Sequence, residues 1–291
     1  MATQKRKYAL VTGCGQGGIG EAIAKEYALN GLHAIATVLP SEPSDHLVHD
    51  GITCYTLDVT QEESIVELKS KVMELTKGRL DVLVNNAPES PTLTKYLPTL
   101  LVYTMTSIDT DVVEVQRMFD VNVFGPMRMV HHFHGMLIEA VGTIVNISSI
   151  GGIVPYVYGA SYNASKAALQ HWSNTLRVEM APFGVKVLTI ISGEVGTNIL
   201  KRDLGRELPP DSYFSPLATE FRQHVHRTPD TTDRFVYAKN VVAQSLKRSP
   251  PAWFWYGKST LSVRILTALA WRTIWDQIFW KMFGLGKLCR K

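Results

Sequence analysis

The chain has 291 residues, of which 45% are hydrophobic and 19% charged, and its formal net charge is +4. This composition fits one packed α/β core and excludes a largely disordered chain. Basic residues form no stripe beyond positions 5–7, which argues against nucleic-acid binding. Three widely spaced cysteines make neither a disulfide framework nor a zinc motif, and this favours a cytoplasmic protein. We expect no signal peptide and no membrane-spanning helix.

Short apolar segments alternate with helical patterns along most of the chain. Strands are predicted over 8–12, 33–39, 52–57, 80–84, 142–147 and 185–191, and helices over 20–30, 64–75, 112–138 and 163–182. Because the strand segments are almost continuously apolar, we expect a parallel sheet with helices on both faces. This is a doubly wound Rossmann fold, whose ligands bind beyond the carboxyl ends of the strands.

A glycine-rich turn, TGCGQGGIG at 12–20, joins the first strand to the first helix. Glycines let backbone amides approach a pyrophosphate, and the N-terminus of a helix favours its negative charge. An ordinary tight turn is the alternative, but the strand–turn–helix context favours dinucleotide binding. The predicted cofactor-binding residues of this turn are Gly13, Gly15, Gly18, Ile19 and Gly20.

Three further strand ends bear on the cofactor. Residues 37–41 contain neither the acid typical of NAD sites nor the arginine typical of NADP sites. The missing acid argues against an NAD-specific site, while the missing arginine leaves NADH open beside NADPH. Asp58, followed by Val59, either accepts a hydrogen bond from the adenine or caps the next helix. Asn86 and Ala87 either line the groove beside the adenosine ribose or pin the turn.

Tyr162 and Lys166 are four residues apart, on one face of a predicted helix. A nearby ammonium stabilises a phenolate, so the pair could exchange a proton with a carbonyl or an alcohol. Ser149, just beyond a strand, could hydrogen-bond the substrate oxygen, or it could cap a turn. Asn122 lies within an apolar helical pattern, where a satisfied buried amide is the alternative role.

Other chemistries fit the sequence less well. No G-x-S-x-G motif marks a hydrolase. The histidines cluster at 131–134 and 224–226 without a zinc-binding pattern, so we interpret them as solvated and predict no metal site. The irregular segments 86–111 and 196–235 are expected to form the substrate pocket rather than passive surface loops, and the second is favoured as a lid.

The C-terminal segment 258–291 is predicted to extend a domain of residues 1–257. Its apolar residues follow the spacing of an amphipathic helix: Trp271, Ile274, Trp275, Ile278, Phe279, Met282 and Phe283. Two interpretations remain open. The helix packs against its own domain or a dimer partner, or it contacts a membrane peripherally, at the endoplasmic reticulum or a lipid droplet, and admits a lipid-like substrate.

The ordered set of the glycine turn, residues 85–87, Asn122, Ser149 and the pair Tyr162 and Lys166 resembles the short-chain dehydrogenase/reductase family over roughly residues 7–200. Within it, the segments 121–125, 179–183 and 193–197 look most similar to fungal NADPH-dependent 1-acyldihydroxyacetone-phosphate reductases and related ketoreductases.

The resemblance implies a role for each of these residues. Tyr162 would be the acid/base, and Lys166 would bind the nicotinamide ribose and lower the pKa of Tyr162. Ser149 would orient the carbonyl, and Asn122 would hold a water molecule in a proton relay. The nicotinamide carboxamide would be contacted by Val195 and Thr197.

The resemblance also implies a seventh strand at 252–256 and a homo-oligomer. Four features depart from the family pattern, and one of them is the missing basic residue after the second strand, at 37–41. The glycine turn is one residue longer than usual, which leaves Gly15 and Gly17 as competing assignments. Pro88 and Ser192 replace a glycine and a proline.

The expected function is therefore NADP(H)-dependent reduction of a ketone, or oxidation of the secondary alcohol, on an apolar small molecule or acyl lipid. Two alternatives stay open. One is a ketoreductase of secondary, polyketide-type metabolism. The other is a non-catalytic nucleotide-binding scaffold or sensor that retains the fold.

Overall fold

The computed structural model describes residues 6–86, 103–198, 203–271 and 273–289, together with the backbone of 93–94 and 97–98. The strands are β1 (Tyr8–Val11), β2 (His33–Val38), β3 (Thr53–Thr56), β4 (Val82–Asn85), β5 (Leu93–Thr94), β6 (Leu97–Pro98), β7 (Thr143–Ser149), β8 (Lys186–Ser192) and β9 (Trp253–Tyr256). The α-helices are α1 (Ile19–Leu29), α2 (Asp45–Val48), α3 (Glu62–Thr76), α4 (Val112–Phe119), α5 (Gly125–Ala140), α6 (Ala160–Met180), α7 (Ala218–Val225), α8 (Arg234–Ser245), α9 (Thr260–Leu269) and α10 (Ile274–Met282).

Seven strands form one parallel sheet in the order β3-β2-β1-β4-β7-β8-β9. This arrangement confirms the predicted Rossmann fold and places the seventh strand, β9, beside β8. The chain proceeds outward from β1 in one direction and resumes on the other side at β4. The carboxyl ends of β1 and β4 therefore border the crevice where such sheets bind ligands.

Both faces of the sheet are covered, because successive side chains of a strand point to opposite faces. Along β1, Ala9 and Val11 pack into a core that includes residues of α1 and α8. Leu10 packs into a second core, with residues of α3, α5 and α6. The continuous apolar character of the central strands follows from this double burial.

The helix predicted over 112–138 is divided into α4 and α5 by one π-helical turn, Asp120–Phe124. Pro126 has no backbone N–H to continue the α-helical ladder, and the N–H of Gly125 instead bonds the carbonyl of Asp120, five residues earlier. Asn122 lies in this turn and is buried. The turn thus gives Asn122 a local backbone geometry that hydrophobic periodicity did not reveal.

The C-terminal segment packs against the rest of the chain. Trp275, Phe279 and Phe283 are buried in a core shared with Tyr158 and Phe221. This supports the interpretation that the amphipathic helix packs on its own domain.

The apolar face of this segment is narrower than we predicted from its spacing. The α-helix begins at Ile274, and Trp271 and Met282 are 59% and 62% exposed. Among the described residues, none of the helices combines the length and the hydropathy needed to cross a bilayer.

Candidate active site

The glycine turn between β1 and α1 is shaped by two glycines in the left-handed region, Gly13 at φ +67° and Gly17 at φ +83°. The sequence left Gly15 and Gly17 as competing assignments in this turn, and Gly15 was included among the predicted cofactor-binding residues. In the structure Gly17 takes the left-handed conformation, while the carbonyl of Gly15 accepts the N–H of Gly18 at 3.0 Å. The positive φ of Gly17 is a backbone conformation that residues with a side chain rarely adopt.

Gly20 allows the first turn of α1 to approach the end of β1 closely. A Cβ on Gly20 would collide with the carbonyl oxygen of Gly13 and lie 2.8 Å from Nδ2 of Asn86. The N-cap Gly18 supplies no side chain to the amides at the start of α1. These amides and the close backbone approach suit a pyrophosphate at this helix terminus.

Asn86 pins the glycine turn from the end of β4. Its Nδ2 donates to the carbonyl oxygens of Thr12 and Gly13 at 3.1 and 2.9 Å. The hydroxyl of Thr12 donates in return to the carbonyl of Asn86 at 2.8 Å. Of the two roles considered for Asn86, the pinning role is thus present in the structure, while Ala87 and Pro88 lie outside the described residues.

The predicted adenosine side of the crevice lies at the ends of β2 and β3. The carboxylate of Asp58 accepts the amide and hydroxyl of Thr60 at 2.9 and 2.7 Å, while α3 has Gln61 as its N-cap. Asp58 therefore stabilises the turn before α3 and does not cap that helix. Val59, which follows it, is buried.

Two residues that sequence reasoning did not select lie close to this side of the crevice. The carboxylate of Glu42 accepts the amide of Leu39 at 3.0 Å, one position beyond the segment searched for an acid. His46 places Nε2 3.0 Å from the carbonyl oxygen of Cys14, inside the glycine turn. Only the folding of 40–46 back over the turn brings these side chains there.

The four predicted catalytic residues line one cavity of about 240 Å³. Tyr162 and Lys166 occupy the first two turns of α6, Ser149 ends β7, and Asn122 enters from the π turn. The Ser149 hydroxyl lies near enough to Tyr162 to act on the pKa of the phenol. Nδ2 of Asn122 donates to Ser165 at 3.2 Å.

Burial controls the titration of the two ionisable residues. It raises the pKa of Tyr162 above its ordinary value of 10.0, and the hydrogen bond from Ser149 opposes this effect. Burial lowers the pKa of Lys166 to about 8. The Lys166 ammonium lies 5.7 Å from the ring centre of Tyr162 and donates to the carbonyl of Ile147 at 3.2 Å. Burial is thus the largest influence on the Tyr162 pKa in this structure, and the lowering of that pKa by Lys166 stays a prediction.

Gln170 holds the end of β7 against α6, and sequence reasoning missed it. Its Nε2 donates to the hydroxyl of Ser148 at 3.0 Å and to the carbonyl of Ser149 at 2.8 Å. The hydroxyl of Ser149 also accepts the amide of Gly151 at 3.0 Å, so this serine caps a turn as well as meeting Tyr162. Gln170 lies four residues beyond Lys166 in the same helix, which is the one signal that could have indicated it.

The cavity wall opposite α6 follows β8. Val195 is buried, and Val195, Thr197 and the carboxylate-bearing Glu194 all line the cavity. Burial raises the pKa of Glu194. Ser192, where the family pattern has proline, lies 2.5 Å from the hydroxyl of Tyr237 and thereby ties β8 to α8.

The segment predicted over 196–235 contributes to the pocket, as expected. His224 at the end of α7, and Arg227 just beyond it, line the same cavity as Tyr162. The interpretation of the histidines as solvated is therefore wrong for His224, which packs 5.6 and 5.5 Å from the ring centres of Tyr156 and Tyr158. Burial and the neighbouring Arg227 lower the pKa of His224 to about 3.

Comparisons with known proteins agree with this site. The family model described as short chain dehydrogenase matches residues 7–207. The short-chain dehydrogenase fogD of Aspergillus ruber is 68% identical over 283 residues, covering 97% of this chain and 95% of the relative. An NADPH-dependent 1-acyldihydroxyacetone phosphate reductase of Schizosaccharomyces pombe is 38% identical over 80% of this chain and 75% of its own length.

A solved structure has the same fold over nearly the full length. A short-chain dehydrogenase from Streptomyces avermitilis superposes with a TM-score of 0.76 at 28% identity, covering 98% of this chain and 99% of its own. Sequence match, sheet order and the arrangement around the cavity agree. The chain therefore belongs to the short-chain dehydrogenase family of oxidoreductases.

Proposed function

We propose that this enzyme transfers hydride between NADP(H) and the ketone or secondary alcohol of an apolar small molecule or acyl lipid, with Tyr162 as the acid/base. The observation that carries the proposal is that Tyr162, Ser149 and Lys166 line one cavity. A tyrosine and a serine on the wall of the same cavity can both reach the oxygen of one bound carbonyl.

The glycine turn supports a dinucleotide at the neighbouring strand ends. The close approach at Gly20, the left-handed Gly17 and the uncapped start of α1 fit a pyrophosphate. In this proposal, Asp58 and Val59 lie beside the adenine, Asn86 supports the ribose side, and residues 195–197 contact the nicotinamide carboxamide. NADPH is favoured over NADH because the 38% identical relative is named NADPH-dependent.

The bound cofactor would supply the hydride to the carbonyl carbon. The chain's own residues act on the oxygen. Ser149 orients the carbonyl, and Tyr162 donates its proton to the oxygen as negative charge develops there. Because burial raises the pKa of Tyr162, the phenol is protonated at neutral pH, which suits it for reduction.

Lys166 favours the same proton transfer in a second way. Because its pKa is about 8, Lys166 is still protonated and positively charged in most molecules at pH 7. A positive charge 5.7 Å from the Tyr162 ring centre stabilises the phenolate that forms as the proton leaves. In the proposed arrangement, Asn122 holds a water that returns a proton to the site.

The apolar part of the substrate would lie against the aromatic wall of the cavity. Val154, Tyr156 and Tyr158 line it, and the C-terminal residues Phe279 and Phe283 pack behind Tyr156 at 5.3 Å. Apolar walls with a few fixed polar groups are usual in pockets for small ligands. The C-terminal extension therefore supports the pocket from outside.

The proposal is tested by cofactor binding and turnover. NADPH and NADH are titrated separately against the purified protein, using the fluorescence of the bound nicotinamide. Turnover is then measured with a panel of aliphatic and aryl ketones. We expect tighter binding of NADPH, and a loss of kcat of about 10²- to 10⁴-fold in Tyr162→Phe with NADPH affinity retained.

The matched control is Tyr213→Phe, since Tyr213 is 81% exposed and does not line the cavity. Its turnover should equal that of the wild type. Tight NADPH binding with no turnover of any ketone, unchanged in Tyr162→Phe, would instead support a non-catalytic nucleotide sensor. Preference for NADH would contradict the cofactor assignment.

A further inference from the structure

Arg227 is held at the wall of the reaction cavity by His224. Its Nη1 donates to the carbonyl oxygen of His224 at 2.9 Å and to the ring Nε2 at 3.0 Å. The guanidinium carbon is 5.9 Å from the ring centre of Tyr156. Two hydrogen bonds on one nitrogen fix the direction of the planar guanidinium, whose other nitrogens remain to donate elsewhere.

The histidine that anchors Arg227 is itself immobilised. Tyr156, Tyr158 and Phe283 surround its ring at centre distances of 5.6, 5.5 and 5.3 Å. Nε2 must be unprotonated to accept from Arg227, and the burial that lowers the pKa of His224 keeps it so. Tyr158 is held at φ +64°, a costly backbone conformation for a bulky residue that tends to occur at functional sites.

Arg227 has no carboxylate within ion-pair distance in the part of the chain that the structure describes. In contrast, Arg206 and Arg234 each have one, Asp203 at 3.2 Å and Glu21 at 3.6 Å. Glu194 lines the same cavity and is close enough for the Arg227 charge to lower its pKa, although burial has the larger, opposite effect and the two groups are not within ion-pair distance. A fixed cation beside a cavity, without a directly paired acid, favours an acceptor oxygen on a bound molecule.

We infer that Arg227, positioned by His224, binds an acceptor oxygen of the substrate remote from the reacting carbonyl. The substrate class is thus an oxygenated ketone, carrying a carbonyl or carboxylate oxygen, rather than a purely hydrocarbon ketone. This inference rests on the proposed ketone chemistry at Tyr162. Arg227 orients the substrate and takes no part in the proton transfer.

The test measures binding without turnover. Three probes are titrated against the NADPH complex of Tyr162→Phe, with nicotinamide fluorescence as the readout: acetophenone, methyl 4-acetylbenzoate and 4-acetylbenzoate. We expect one or both oxygenated probes to bind about 10- to 100-fold more tightly than acetophenone. The ester and the carboxylate distinguish a neutral acceptor from an anion.

Arg227→Met in the same background should abolish this preference. Arg227→Lys should keep only part of it, because lysine has a positive charge but lacks the planar, forked N–H donors of the guanidinium. His224→Phe keeps a ring but removes the acceptor, so it should weaken the preference. His224→Gln returns an acceptor and should recover it. The preference is used as the readout because general destabilisation would weaken all three probes alike.

The matched control is Arg222→Met in α7, the helix that ends just before Arg227, since Arg222 is exposed and pairs with Glu207 at 3.2 Å. It should leave the preference unchanged. Equal affinity for the three probes, failure of all of them to bind the NADPH complex, or a preference that survives Arg227→Met would overturn the inference. Failure of NADPH itself to bind would instead refute the proposed function.

Discussion

Replacing Lys166 with Met should stabilise the cofactor-free enzyme while removing its activity. Lys166 is buried, with 6% of its surface exposed, and it has no carboxylate partner among the described residues. Burial lowers its pKa from 10.5 to about 8, which corresponds to a cost of about 3 kcal/mol for keeping the charge in the fold at pH 7. Methionine fills a similar volume without a charge.

The hydrogen bond from Lys166 to Ile147 offsets part of this gain, because its loss costs about 1 kcal/mol. The expected net stabilisation at pH 7 is therefore about 2 kcal/mol. For a chain of 291 residues, that raises Tm by about 3 °C. The control is Lys71→Met, an exposed lysine paired with Glu67, which should change stability by less than about 0.5 kcal/mol.

The gain should depend on pH in a defined direction. Between about pH 8 and 10.5 the folded protein has released the Lys166 proton, while the unfolded chain still binds it. The wild type therefore gains stability as pH rises through this window, and Lys166→Met does not. Urea unfolding of both proteins at pH 7 and pH 10 measures the difference. A Lys166→Met protein that is less stable than the wild type at pH 7 would refute the reasoning. So would a stability difference between the two proteins that is as large at pH 10 as at pH 7.

Three further predictions concern packing and surfaces. Gly20→Ala should destabilise the protein by about 1–3 kcal/mol and weaken NADPH binding. Its control, Gly135→Ala on an open helix face, should stabilise the protein by up to about 1 kcal/mol. Thermal melts measure the stability of both variants, and fluorescence titration measures their NADPH binding. Phe279→Ala should cost about 3–5 kcal/mol in urea unfolding, while Trp280→Ala, at a 51% exposed position, should cost under about 1 kcal/mol. The predicted peripheral membrane contact is tested by replacing the exposed Trp271 and Trp280 with serine, which should reduce cosedimentation of the protein with phosphatidylcholine vesicles. Equal sedimentation of the variant and the wild type, or no sedimentation of the wild type, contradicts the contact.

Much of the fold could be predicted from local pattern. Apolar runs at intervals along the chain, interrupted by helical spacing, were sufficient to predict the parallel sheet, because burial on both faces leaves little choice of residue type. The observed ends of the helices and strands differ from the predicted ends by a few residues. The interruption at Asp120–Phe124 was missed because a π turn preserves the apolar character on which periodicity depends.

Some of the residues around Tyr162 could likewise be predicted from the sequence, and others could not. Lys166 was predictable because four residues along a helix give a fixed spatial relation. His224 and Arg227 were not, since they reach the cavity only after the chain has crossed β8 and formed α7. A single histidine on a short helix, or a single arginine just after it, has no local signature of burial.

The sequence by itself determined the sheet, the position of the glycine turn and the Tyr162 and Lys166 pair, because each depends on spacing within one or two adjacent elements. Only the tertiary structure decided that burial is the largest influence on the Tyr162 pKa, that Gly17 rather than Gly15 takes the left-handed conformation, and that the C-terminal helix packs behind the pocket. Each of these depends on contacts between distant segments, and burial and electrostatic interaction are properties of such contacts rather than of local spacing.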